Sequence, residues 1–117
     1  MSNYCFVTPI LPGGEELMRE WIRDESINNV NHDRVFQMAG ITREQIWIQR
    51  TPMGDFAVAS FEVEDPGKAF GIIASSTDPW AAKFRNLLFR AHGVDITQPL
   101  PLNEQVADWD ITEKIRV

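Results

Sequence analysis

Apolar and polar residues alternate along residues 44–51 and again along residues 56–63, which predicts two β-strands. Residues 52–55, Pro-Met-Gly-Asp, supply the turn between them, because proline presets φ and glycine accepts a positive φ. An aromatic and β-branched run at residues 3–10, "NYCFVTPI", predicts an earlier strand that ends at "LPGG". Residues 104–111, "EQVADWDI", predict a short fourth strand.

The stretch between the first two strands has the spacing of a helix. Its apolar side chains recur on one helical face at Leu17, Met18, Trp21 and Ile22. The polar run "SINNVN" weakens this pattern, because asparagine competes for backbone hydrogen bonds. We therefore predict one long helix that is bent or broken near residues 27–31 and capped at Gly40.

Two further predicted helices begin with the same Asp-Pro capping sequence. Both "EDPGKAF" and "TDPWAAKF" place aspartate directly before proline, the arrangement of a capping side chain followed by a proline at the first helical position. The first of these helices is predicted at residues 66–75 and the second at residues 79–92. The second carries an apolar stripe before Gly93 ends it, formed by Trp80, Phe84, Leu87, Leu88 and Ala91.

The predicted order of elements is β-α-β-β-α-β within one domain, residues 1–117. This order is that of the ferredoxin-like plait, an α+β fold with an antiparallel four-stranded sheet and helices on one face. Right-handed crossovers would place the first and third strands in the centre of the sheet.

Both faces of the predicted hairpin carry apolar side chains. If Thr51 pairs with Phe56, one face holds Ile46, Ile48, Ala57, Ala59 and Phe61, and helices can pack closely on its alanines. The other face then holds Trp47, Gln49, Phe56, Val58 and Ser60. An exposed apolar patch of this kind usually marks a partner surface, so we expect a homodimer that packs sheet against sheet and closes a barrel.

The mixed character of this second face also suggests a pocket. A few polar groups that orient a mostly apolar guest are typical of a small-molecule site, and the candidate ligand-binding residues are Trp47, Gln49, Val58 and Ser60. The alternative is a dimer core whose polar groups are satisfied locally.

Several segments resemble a known group of proteins. The pattern from Phe61 through Phe84 resembles the dimeric α/β barrels of the antibiotic-biosynthesis-monooxygenase type. The segments "YCFVTPILPGG", "GITREQIWIQRTPMGDF", "EDPGKAFGIIASSTDPW" and "HGVD" together resemble an uncharacterised bacterial family with that fold. The resemblance implies a dimeric ferredoxin-like barrel. The wider superfamily includes cofactor-free oxygenases, haem-degrading enzymes, small-molecule isomerases and members without known chemistry. Haem-degrading relatives use a helix histidine after a segment that reads "STDPWAAKFRN" here, without a histidine.

Charge, hydropathy and cysteine content argue against nucleic-acid binding, a membrane span and an internal disulfide. The net charge of −6 and scattered arginines argue against nucleic-acid binding. No stretch approaches the roughly 20 apolar residues of a membrane span, and no signal peptide is visible. A single cysteine, Cys5, excludes an internal disulfide and fits a reducing cytoplasm.

Few residues suggest catalysis. His92 is a weak candidate general base, although its place in the last turn of a helix also suits capping. His32 is expected to face solvent, and Cys5 to be a buried structural thiol. Asp108 and Asp110 form a pair of acids on one face of a predicted edge strand, where charges discourage edge pairing. We expect no metal site and no cofactor, because the histidines are far apart and no dinucleotide fingerprint is present.

Three functions remain open on these grounds. The first is a homodimer that binds a small, partly apolar molecule in or beside the barrel. The second is a cofactor-independent enzyme of the monooxygenase or isomerase type, which would need a titratable group inside a cavity. The third is a structural or interaction module, for which a barrel filled by side chains would be the sign.

Overall fold

Three strands form an antiparallel sheet with the order β1-β3-β2 in the computed structural model, which describes residues 2–116 and the side chains of residues 3–113. Strand β1 spans Ser2–Pro9, β2 spans Ile41–Thr51 and β3 spans Gly54–Val63. The predicted hairpin is confirmed, but its turn is tighter than expected. Thr51 pairs with Gly54 rather than with Phe56, so the turn has two residues instead of four.

The two faces of the sheet are those that the alternation predicts. A shift of the pairing by two residues preserves the face of every side chain, because the period of a strand is two. We call the helix-covered side the inner face; it carries Tyr4, Phe6, Thr8, Glu44, Ile46, Ile48, Ala57, Ala59 and Phe61. The opposite side is the outer face; it carries Cys5, Val7, Gln45, Trp47, Gln49, Phe56, Val58 and Ser60.

Helix bounds follow the capping signals closely. Helix α3 spans Pro66–Ser75 and helix α4 spans Pro79–His92, as predicted. The Asp65 carboxylate accepts a hydrogen bond from the backbone N–H of Lys68 at 3.0 Å, and Asp78 accepts from that of Trp80 at 2.9 Å. Each aspartate thus satisfies one of the amide groups that a helix N-terminus leaves without an intrahelical partner.

The predicted long helix is broken where its asparagines lie. Helix α1 spans Gly14–Trp21 and continues into a π-helical segment at Ile22–Ser26; helix α2 spans Val30–Met38. Asn28 between them adopts a positive φ of 54°, a conformation that asparagine tolerates better than most residues. The Asn29 side chain then caps α2, accepting from the backbone N–H groups two and three residues on.

The predicted fourth strand does not join the sheet. Only Asp108–Asp110 is extended as β4, and it pairs with β5, Lys114–Arg116, in a separate two-stranded hairpin. Both candidate acids, Asp108 and Asp110, therefore lie in this exposed hairpin rather than on the edge of the main sheet. Local pairing of this kind closes a short loop, whereas joining the distant β1 would close a long one.

In the described part of the chain β1 is consequently an edge strand, and β3 alone is central, so the expected central pair of strands is not found. The chain still passes this edge at Asn103. Its backbone N–H donates to the Tyr4 hydroxyl at 2.8 Å, and its side-chain amide donates to the Cys5 carbonyl at 2.5 Å. The described residues thus form an α+β fold with a three-stranded sheet.

The core lies between the inner face and the helices. It centres on buried apolar side chains from both layers: Val35, Phe36, Phe61, Val63, Ala69, Ile73, Trp80 and Ala81. Aromatic rings join the helices across it, since Trp80 packs on Trp21 at 5.2 Å and stacks on Phe84 at 5.4 Å between ring centroids. Within residues 2–116, no helix is long and apolar enough to cross a membrane.

Candidate functional site

The four predicted ligand-binding residues lie together on the outer face. Trp47 is directly opposite Val58, and Gln49 is opposite Phe56, two residues further along each strand. Ser60 lies further along β3, opposite Gln45, and borders a shallow polar depression on the same face. Trp47 and Val7 are each 50% exposed, so this patch is open to water. The four residues form a continuous surface, but no enclosed pocket.

A partly enclosed cavity lies on the inner face instead, between the sheet and the helices. The space in it that the centre of a water-sized sphere can reach is about 80 Å³. One water needs roughly 10–15 Å³ by this measure, so the cavity has room for a small molecule. Its aromatic walls come from both layers of the fold: Phe6, Trp21, Phe36, Phe61, Phe70 and Phe84. None of the four predicted ligand-binding residues lines it.

His92, the weak candidate for general base, lines this cavity and is only 5% exposed. Its Nδ1 lies 2.9 Å from the carbonyl oxygen of Pro9. A carbonyl can only accept, so Nδ1 carries the proton and Nε2 of the neutral ring is left as an acceptor. Burial lowers the pKa of His92, and the hydrogen bond to Pro9 opposes this only in part. The ring is therefore neutral at neutral pH.

The Nε2 atom of His92 is a hydrogen-bond acceptor without a partner among the described residues. In the same part of the chain, no fully buried side-chain nitrogen or oxygen lacks a partner, so Nε2 must reach accessible space. Since His92 lines the cavity, we infer that this space is the cavity itself. An acceptor of this kind in an apolar chamber can orient a guest that carries one polar group.

Backbone contacts hold His92 in place. The N–H of Leu11 donates to the carbonyl of Ala91 at 2.9 Å, which ties the loop after β1 to the last turn of α4. Gly14 begins α1 against that same carbonyl, where a Cβ would overlap the oxygen. Gly93 then ends α4 with a φ of 71°, as the sequence predicts. The helix end, the strand end and α1 thus converge on the residue that carries the free acceptor.

A second polar group of the cavity was not predicted from the sequence. Glu44 lines the cavity from β2, and its Oε1 lies 3.3 Å from Nε2 of His32. Nδ1 of His32 in turn lies 3.0 Å from the carboxylate of Asp33. The Glu44 hydrogen bond, followed by that of Asp33, raises the pKa of His32, although burial opposes this. The expectation that His32 faces solvent is wrong, because its side chain is 15% exposed and its ring packs on Phe36 at 4.2 Å.

The cavity meets the surface along the edge of β2. Three of its lining residues also border a surface depression beside His32: Phe36, Ile41 and Glu44. Three others border a second depression beside Trp47 and Arg50: Met18, Ile22 and Ile46. Both depressions lie beside β2, and the second also borders α1 and the π-helical segment, so we infer that the cavity opens along β2. Departures from regular α-helix of this kind are frequent at functional sites.

The burial of His92 and the position of Glu44 each left a signal in the sequence. His92 continues the stripe of Trp80, Phe84 and Leu88 at intervals of four residues, which places it on the core side of α4. Glu44 shares the two-residue period of Ile46 and Ile48, which places a carboxylate on the apolar inner face. A polar residue on an apolar stripe is the informative exception.

The remaining candidates do not form a site. Cys5 is exposed on the outer face, so the expectation of a buried thiol is wrong. Among the residues that the structure describes, no group of three His, Cys, Asp or Glu side chains could hold a metal ion.

Comparisons add no relative to this picture: no protein-family model, curated protein or solved structure matches the chain.

Proposed function

We propose that the protein binds a small, largely apolar molecule in the cavity between the sheet and the helices. The observation that carries this proposal is an aromatic-walled chamber inside a well-packed core, with the free Nε2 of His92 on its wall. Core cavities of this size cost stability, since their lining atoms lose contacts. A bound guest restores those contacts and so offsets the cost of the cavity.

The proposed assembly is a homodimer that packs outer face against outer face. Its support is the patch of Val7, Trp47, Phe56 and Val58, in which no described segment shields Trp47 or Val7 from water. Predicted ligand contacts by Trp47, Gln49, Val58 and Ser60 belong to this assembly, because a second copy would have to close the surface on which they lie. Burying such a patch removes apolar area from water at roughly 25 cal/mol per Å².

Naphthalene titrated into the purified protein tests the cavity proposal, with binding followed by calorimetry. Ala59 is on the inner face and lines the cavity, so Ala59→Leu should fill part of the space and abolish binding. The matched control is Val58→Leu, one residue away on the outer face, which should leave the affinity unchanged. Equal affinity of Ala59→Leu and the wild type would overturn the proposal.

A cofactor-independent enzyme is the second candidate, and one observation favours it. His92 lines the cavity, has one ring nitrogen fixed by Pro9, and leaves Nε2 of its neutral ring as an unpartnered acceptor among the described residues, which is the arrangement of a general base. In such a reaction Nε2 takes a proton from an acidic C–H bond of the guest, whose electrons pass into a neighbouring carbonyl. The proton then returns to carbon or to oxygen.

Hydrogen–deuterium exchange of 2-tetralone in D₂O tests this second candidate without knowledge of the natural substrate. The protein should accelerate exchange of the protons next to the ketone, as followed by NMR. Replacement of His92 by Gln should remove the acceleration, whereas His32→Gln should retain it. Exchange at the same rate in wild type and His92→Gln would argue for binding without catalysis.

A further inference from the structure

Glu44 places a carboxylate where the fold otherwise presents apolar side chains. It lies on the inner face opposite Phe61, its side chain is 17% exposed, and it lines the aromatic cavity. Desolvating a carboxylate is costly unless it is paired, so its position calls for a partner. His32 supplies only part of one, through a single 3.3 Å contact to Oε1.

The charges around Glu44 leave a negative excess. His32 lies between Glu44 and Asp33, and the raised pKa of His32 favours its protonated form. Two carboxylates, those of Glu44 and Asp33, thus share a single histidine. Arg43, the residue before Glu44 on β2, also borders the depression beside Glu44, but it belongs to the outer face and pairs with Glu62 at 3.7 Å. A positive charge on a guest would therefore supply the partner that the Glu44 carboxylate lacks.

The polar atoms at both ends of the cavity accept hydrogen bonds. Glu44 accepts through its carboxylate, and His92 accepts through Nε2 because its Nδ1–H is committed to Pro9. Thr8, next to the Pro9 carbonyl that holds His92, pairs with Ala57, and Glu44 pairs with Phe61. These two pairs are four residues apart along β3, or roughly 13 Å at about 3.3 Å per residue. A guest therefore gains by presenting a donor at the Glu44 end, where a carboxylate guest would meet another carboxylate. At the His92 end the Thr8 hydroxyl also lines the cavity and can donate as well as accept.

Glu44 also lies at the opening of the cavity. It borders the surface depression that contains His32 and Asp33, so a charged group held there can keep part of its hydration while the rings of the guest lie inside. The aromatic walls formed in part by Phe36 and Phe61 suit a flat guest and add cation–π attraction for a nearby ammonium group.

We propose that the cavity selects an arylalkylamine, with the ammonium group of its alkyl chain at Glu44 and its aromatic rings among the cavity phenylalanines. This inference rests on the proposed function, since it names the class of molecule that the same cavity takes.

Three probes with the same ring system test the inference by calorimetry: 2-(aminomethyl)naphthalene, naphthalene and 2-naphthoate. The amine should bind at least about tenfold more tightly than 2-naphthoate, with naphthalene in between. In Glu44→Gln the amine and 2-naphthoate should differ by less than about threefold. The matched control Glu62→Gln removes a carboxylate from the outer face of the neighbouring strand and should keep the wild-type preference.

The outcomes separate this inference from the function on which it rests. If naphthalene binds and the wild type shows no preference for the amine, the inference falls and the cavity proposal stands. An amine preference that survives in Glu44→Gln also overturns it. If none of the probes binds, both fall. Should Glu44→Gln fail to fold, as judged by circular dichroism, the wild-type ratio and the Glu44→Asp variant, expected to keep the preference, decide the matter.

Discussion

The inner and outer faces of the sheet start from the same strands and meet different surroundings. Ala57 and Phe61 on the inner face are buried under the helices, whereas Trp47 and Val7 on the outer face are each half exposed. Both faces are apolar, so composition does not separate them. They differ in what packs on them: within the described residues, the helices pack on the inner face and not on the outer face.

This difference indicates which face suits ligand binding and which suits dimerisation. The inner face has helices and a cavity with an acceptor at each end, which are the parts of a ligand site. The outer face has a flat apolar patch with a polar margin, which are the parts of an interface. The four residues predicted to bind a ligand lie on the face of the proposed interface, whereas His92 lines the cavity of the proposed ligand site.

Neighbouring substitutions to aspartate should give the largest contrast between the faces. Ala57→Asp buries a charge without a partner and should lower the free energy of unfolding by roughly 3–5 kcal/mol. Val58→Asp, one residue on, points to the outer face and should keep a cooperatively folded chain. Urea unfolding monitored by circular dichroism measures both. Similar losses in the two variants would contradict the assignment of the faces.

Trp47→Asp should dissociate the proposed dimer while leaving the chain folded. The charge would lie in a surface that association must dehydrate, at a cost of several kcal/mol, on the order of 2–5. Light scattering should report about twice the 13.4 kDa chain mass for wild type and a single chain mass for the variant. Met53→Asp, at the exposed hairpin turn, is the control and should stay dimeric. A monomeric wild type would refute the interface.

Gly14→Ala should loosen the end of the cavity that holds His92. The added Cβ would overlap the Ala91 carbonyl, and backbone cannot move as a side chain can, so a loss of about 1–3 kcal/mol is expected. Gly71→Ala in α3 meets nothing within 4 Å and should instead stabilise by about 0.5–1 kcal/mol. Thermal unfolding compares the two, and equal effects would remove the argument for close backbone packing at α1.

The two histidines should titrate on opposite sides of the ordinary value of 6.5. Burial lowers the pKa of His92, so its contribution to stability is present above 6.5 and is lost as the pH falls through its folded pKa. Glu44 raises the pKa of His32, so its contribution is present below 6.5 and is lost as the pH rises through its folded pKa. NMR titration of the ring protons measures both, and a His92 pKa above that of His32 would contradict the geometry.

The sequence predicts the local structure well for physical reasons. The Asp-Pro pairs at Asp65 and Asp78 fix helix starts through contacts within a few residues, and both helices begin where expected. The two-residue period of β2 and β3 assigns the faces even though the turn at Thr51 is shorter than predicted, because a shift of two residues changes no face.

Features that depend on distant contacts were not predictable in this way. Composition marks residues 108–110 as extended but does not say which strand they pair with, and they pair with residues 114–116. The last-turn position of His92 was evident, yet its free Nε2 depends on Pro9, which lies 83 residues earlier in the chain. The same holds for Glu44, whose partner His32 comes from a different element. Such juxtapositions arise only when the layers pack.

The most direct test of the account follows methyl groups on both faces while naphthalene is added. In ¹H–¹³C NMR spectra, the methyl signals of Ile73 and Leu88, which line the cavity, should shift and saturate together. Those of Val7 and Val58 on the outer face should stay unchanged through the same titration. Saturable shifts at Val7 and Val58, with Ile73 and Leu88 unmoved, would place the ligand on the outer face and contradict the central claim.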